Sequence, residues 1–168
     1  MERETIDVAE TAGLIVRELL AVEEGEQVAL VCDPASEEPM VRALAAAIEA
    51  RGAEFTVFVM PARDERRKNE LTRPIERGLE GADCLIGLTR TCGAPTYSKA
   101  VRRLLDAKRL RAISMVMRDM GNFTSGGATA DYAALHREGE ALAEIWRQAD
   151  RIRVTSPAGT RLEAPIAG

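Results

Sequence analysis

The sequence predicts an α/β fold, with a doubly wound, mainly parallel four-stranded sheet carrying helices on both faces. Two observations point there. Short apolar runs alternate with helical periodicity four times over, and each run is continuous rather than alternating, as strands covered on both faces are. A third observation adds a C-terminal β-hairpin: Arg151–Thr155 alternates, Ser156-Pro157-Ala158-Gly159 is turn chemistry, and Thr160–Glu163 alternates again.

Each element follows from local pattern. Ile6, Ala9, Gly13, Val16 and Leu20 recur at helical spacing until Glu23-Glu24-Gly25 ends the run. Gln27–Cys32 is short, apolar and β-branched, and Asp33-Pro34 stops it. Ser36 and Pro39 open a helix that runs through Arg51 and ends at Gly52. The unit then repeats. Strand Phe55–Met60 leads to a helix around Pro74–Leu79. Strand Cys84–Leu88 leads to one from about Thr96 to Leu105. Strand Arg111–Met117 leads through a Gly-rich loop to the helix Asp131–Gln148. All four strands are expected to be buried on both faces, with Met115 and Met117 in the core. Domain limits are expected at 1–150 for the Rossmann-like part and 151–168 for the hairpin. A hairpin alone is marginal in water, so it reads as a domain seam with a carboxy-terminal half beyond it.

Composition narrows the function. The 168 residues carry 23 Lys and Arg against 27 Asp and Glu, a formal net charge of −4, which argues against nucleic acid as partner. No apolar run is long enough for a membrane helix and the acidic start is unlike a signal peptide, so a cytoplasmic setting is expected. Cys32, Cys84 and Cys92 form no CxxC, and His136 is the one histidine. Neither a disulfide framework nor a His-based metal cluster follows. No catalytic residue and no metal ligand is read from this chain.

Doubly wound sheets bind ligands outside the carboxyl ends of their strands. Of the loops there, 89–95 carries the most chemistry: Thr89, Arg90, Thr91 and Cys92 offer hydroxyls, a guanidinium and a thiol ahead of a helix. These four are the candidate substrate-binding residues. Arginine's planar fork matches an anionic group, and the two threonines can add hydroxyl bonds. The alternative is a surface Arg90 paired to a glutamate, with Cys92 as packing. No GxGxxG, Walker A or GxSxG pattern is present. The basic residues Lys99, Arg102, Arg103, Lys108, Arg109 and Arg111 contrast with the acidic stretch before Glu54, and such faces can meet in an oligomer.

Several segments resemble one enzyme superfamily. The stretches 24–33, 49–57, 81–86 and 130–132, and above all Ile152-Arg153-Val154-Thr155-Ser156-Pro157-Ala158-Gly159-Thr160, are similar to the amino-terminal region of the aminopeptidase T metallopeptidases. The 2,5-dihydroxypyridine dioxygenases share this architecture. The resemblance implies an amino-terminal α/β domain whose divalent metal (zinc, cobalt or iron) is held by a carboxy-terminal half or partner subunit. The leading expectation is peptide-bond hydrolysis by a metal-activated water in that half, with this chain inactive alone. Two alternatives stand beside it: a non-haem iron ring-cleaving dioxygenase, and a non-catalytic ligand-binding or assembly module. The dioxygenase branch carries a histidine in the loop after the third strand, where this chain has Thr89-Arg90-Thr91-Cys92-Gly93. A peptide or small-molecule substrate and a homo- or hetero-oligomer are implied.

Overall fold

The structure, a computed structural model, describes residues 2–116 and 120–166. The chain divides into two compact units, Met1–Thr129 and Ala130–Gly168.

The first unit is built on four parallel strands: β1 (Gln27–Cys32), β2 (Glu54–Val59), β3 (Cys84–Gly87) and β4 (Arg111–Ser114). Their spatial order is β2-β1-β3-β4. Val28 of β1 lies beside Phe55 on one side and Cys84 on the other, and Cys84 in turn beside Arg111. Strand order therefore reverses between β1 and β3.

Helices cover both faces because the central strands send alternate side chains to each. Val28, Leu30 and Cys32, with Cys84, Ile86 and Leu88, join a core formed with α1 (Glu2–Leu14) and α2 (Glu38–Glu49). Ala29, Val31 and Leu85 join a second core with α3 (Arg73–Gly78) and α4 (Lys99–Asp106). Leu30, Leu44, Leu79 and Leu85 are wholly buried. Each such leucine contributes about 1.5–3 kcal/mol relative to exposure.

Expected boundaries shift where local chemistry is specific. α1 runs on into a π-helical turn, Ile15–Leu19, rather than continuing α-helical to Val22. The helix expected from about Thr96 opens as a 3₁₀ turn, Pro95–Tyr97, and α4 begins only where the Ser98 hydroxyl accepts the Val101 amide at 3.2 Å. The Gly-rich loop holds the short α5 (Met120–Phe123) and a 3₁₀ turn, Gly126–Thr129.

One expectation is corrected. β2 and β4 are not buried on both faces: Val57 is 37% exposed, Val59 64%, and Val116, just past β4, 46%. They are the outer strands of the sheet, and only β1 and β3 lie between two neighbours. Met115 is buried as expected, while Met117 lies outside the described residues.

The second unit holds α6 (Tyr132–Arg147) and an antiparallel hairpin, β5 (Arg151–Thr155) with β6 (Arg161–Pro165). The Asp131 carboxylate caps α6 by accepting the Ala134 amide at 2.9 Å. Gly159, at φ 97°, closes the hairpin turn in a conformation other residues resist. Among the described residues of this unit none is buried.

Candidate functional site: the loops at the carboxyl ends of β1 and β3

The reversal between β1 and β3 sets the loops that follow them side by side at the carboxyl edge of the sheet, the usual ligand position in such folds. The two loops are 33–36 after β1 and 89–93 after β3. Asp33 ties them together. Its Oδ2 accepts the amides of Arg90 at 2.8 Å, Thr91 at 2.6 Å and Cys92 at 3.1 Å, and the Thr91 hydroxyl at 2.8 Å. Its Oδ1 accepts the Ala35 amide at 3.0 Å. Ser36 completes the tie, its hydroxyl donating to the Leu88 carbonyl at 2.8 Å and accepting the Asp33 amide at 2.9 Å.

Asp33 is only 3% exposed. Burial by itself would raise its carboxyl, but the Thr91 amide and hydroxyl, with the Cys92 and Arg90 amides, outweigh it and hold the group below its ordinary value. A buried carboxylate is stable here because its oxygens accept four amides and a hydroxyl.

The four candidate residues lie together on this loop, each with its own partner. The Arg90 guanidinium, with 39% of the side chain exposed, donates through Nη1 to Glu37 Oε1 at 3.0 Å. The buried Thr89 hydroxyl donates to the Gly93 carbonyl at 3.1 Å. Thr91 spends its hydroxyl on Asp33. The Cys92 thiol is buried, 3.7 Å from the Pro61 carbonyl. Burial pushes it up, away from the thiolate a nucleophile requires. Cys32 and Cys84 are buried and free as well, their thiols raised by burial to about 11 and about 12.

A third loop, 61–70, closes against the second. The Gly93 amide donates to the Lys68 carbonyl at 2.8 Å, and a Cβ on Gly93 would meet Asn69 Oδ1 at 1.9 Å. Only glycine allows that approach. His136 stands exposed on α6 in the other unit.

Asp33 and Glu37 are the functional candidates that the sequence pattern did not single out. The signal was there in part, since an Asp-Pro-Ala-Ser turn directly follows the first strand. That its carboxylate reaches a loop more than fifty residues away depends on the β1–β3 pairing, which no local pattern encodes.

A family profile described as NicX: 2,5-dihydroxypyridine 5,6-dioxygenase matches residues 15–168. The structure of the 2,5-dihydroxypyridine dioxygenase from Pseudomonas putida KT2440 aligns over 97% of this chain and 48% of its own, at TM-score 0.70 and 17% identity. AmpT from Thermus thermophilus aligns over 85% of this chain and 45% of its own, at TM-score 0.45 and 16% identity. The chain thus spans about half the length of these structures. No curated protein matches it. By the extent of the profile match, the chain belongs to the 2,5-dihydroxypyridine 5,6-dioxygenase family.

Proposed function

We propose that this chain is the amino-terminal, substrate-facing part of a ring-cleaving dioxygenase acting on a small hydroxylated aromatic heterocycle. Its task is to form one wall of the substrate cleft, with Arg90 holding an ionised ring oxygen or other anionic group and Thr89, Thr91 and Cys92 shaping the same wall. The observation that supports this is the Asp33 tie, which fixes the Arg90 backbone at the carboxyl edge of the sheet through four donors on one oxygen. A site held this rigidly loses little entropy when a ligand arrives. The family match favours ring cleavage over the peptide hydrolysis that the sequence suggested first.

The iron implied by such chemistry does not fit the described residues. No three of their His, Cys, Asp or Glu side chains come together as ligands, and the Asp33 carboxylate already accepts four donors on one oxygen. The metal belongs, in this reading, to a carboxy-terminal half or partner subunit.

The test is to co-purify the chain with its carboxy-terminal region, whether continuous or separate, and to follow oxygen uptake with 2,5-dihydroxypyridine under ferrous iron. The reading expects uptake by the two parts together and none by either alone. Equal uptake by the carboxy-terminal region alone, or none by the pair alongside peptide hydrolysis, overturns it.

A further inference from the structure

The two helical layers of the first unit carry opposite charge. On the α1–α2 side, Glu10, Glu18, Glu23, Glu24 and Glu49 are exposed, and among the described residues Arg17, Arg42 and Arg51 are the exposed cations that accompany them. Two of those cations are already engaged, Arg17 with Glu18 and Arg42 with Glu38. The α3–α4 side is the reverse. A groove of about 460 Å³ runs there, lined by Arg73, Arg77, Lys99 and Arg103 against Glu76 and Glu80.

Glu80 is over-subscribed. Its carboxylate takes Arg103 at 3.0 Å and Arg77 at 3.6 Å, and its carbonyl takes Arg109 at 3.2 Å. Arg73 and Lys99 have no ion-pair partner among the described residues. Arg102 and Lys108, both exposed, extend the basic surface beyond the groove. Such a groove is short of anionic acceptors.

We propose that this groove docks the acidic α1–α2 face of a second copy of the chain, in a head-to-tail contact. Both complementary surfaces are present on one molecule, which is the reason to choose a second copy over an unrelated acidic partner. The net charge of −4 sets whole molecules against one another, so charge favours a contact that pairs unlike faces over one that pairs like faces. The contact is heterologous, because the two surfaces are different, and so builds a ring or an open chain rather than a two-fold dimer. Exposed charge pairs are individually weak and screened by salt, so the association is modest and salt-sensitive.

Sedimentation velocity on the full chain tests this at about 0.01 M and about 1 M salt, where the screening length is ~30 Å and ~3 Å. The mean mass should rise with protein concentration at low salt and fall to that of the single chain at high salt. The groove variant Arg73→Glu/Lys99→Glu should weaken association at least about tenfold, and so should the acidic-face variant Glu10→Lys/Glu18→Lys. Mixing the two variants should restore it, since each then offers the unlike face that the other needs, and recovery also shows that both are folded. A single-chain mass at low salt overturns the proposal. So does association that persists at high salt, the signature of an apolar contact, and so does a mixture that fails to associate.

Discussion

Thr91 places both its amide and its hydroxyl on a single oxygen of Asp33, at 2.6 and 2.8 Å. One residue thereby commits two donors to a carboxylate at the end of the neighbouring strand. The arrangement depends on the β1–β3 register, in which Val31 faces Gly87 and both chains leave the sheet at the same level. From there the Asp33 side chain needs no backbone distortion to reach the amides beyond Thr89. The tie between the two loops is therefore a product of strand order as much as of loop sequence, and its rigidity can be measured through Asp33.

Asp33→Ala strips the acceptor from the amides of Ala35, Arg90, Thr91 and Cys92 and from the Thr91 hydroxyl. At least some of those donors are left buried and unpaired, at a cost of about 3 kcal/mol. For a chain of this size that lowers Tm by about 6–12 °C. Asp33→Asn keeps an acceptor but loses the charge, and should cost about half as much. Thermal unfolding followed by circular dichroism checks both, and equal Tm values for all three proteins would refute the tie.

The same carboxylate sets an acid limb. Asp33 is held below its ordinary value in the folded protein, so its stabilising contribution is complete above the unfolded value near 4 and is lost as pH falls through the folded value. Urea unfolding across pH 2–6 should show the gap between the parent and Asp33→Asn narrowing as the pH drops below about 4. A gap independent of pH would mean that the carboxylate is not ionised in the fold.

Much of the fold was legible in local pattern because the central strands obey one rule along their whole length. Leu30 and Leu85 are apolar in an apolar run and sit between two helical layers. Val57 and Val59 look the same in sequence yet stand exposed, because outer position is decided by strand order and not by composition. The candidate loop was legible too, through the clustering of Thr89, Arg90, Thr91 and Cys92. Its partners were not, since Asp33 and Glu37 are separated from it by two helices and two strands and meet it only through the parallel pairing.

Gly93 marks where the loops after β2 and β3 touch. An added Cβ would sit 1.9 Å from Asn69 Oδ1 and 3.2 Å from the Lys68 carbonyl, so Gly93→Ala forces the 61–70 loop outward. Overpacking of this kind costs about 1–3 kcal/mol. Adding Asn69→Ala removes the nearer clash and should return part of that loss. A double-mutant cycle in urea reads the coupling, and strict additivity would show that the two residues do not meet.

The three thiols should be silent in the native state. Cys32, Cys84 and Cys92 are buried, and the first two are raised to about 11 and about 12. At pH 8 a thiol-reactive dye should label none of them quickly in native protein and all of them in denaturant. The sign of the linkage follows: thiols raised on folding favour the fold below about pH 8.5 and withdraw that support as pH climbs toward their folded values. Cys84→Ala should therefore flatten the alkaline loss of stability, and an unchanged alkaline limb would refute that assignment.

Arg90 separates a binding role from a surface one. Its pair with Glu37 is partly exposed on both sides, so breaking it should cost at most about 1 kcal/mol of stability. A charge-assisted bond to a substrate anion is worth more, about 1.5–3 kcal/mol, and its loss shows in kcat/KM as a fall of roughly tenfold or more. Arg90→Lys keeps the charge without the planar fork and should recover only part of that activity. Glu37→Gln frees the guanidinium from its neighbour and should leave kcat/KM equal to or above the parent. The measurement is kcat/KM for ring cleavage by the two-part enzyme, taken beside Tm for each variant. Activity that falls with Tm in proportion, or parental activity in both Arg90 variants, makes Arg90 a surface partner of Glu37 and removes it from the cleft.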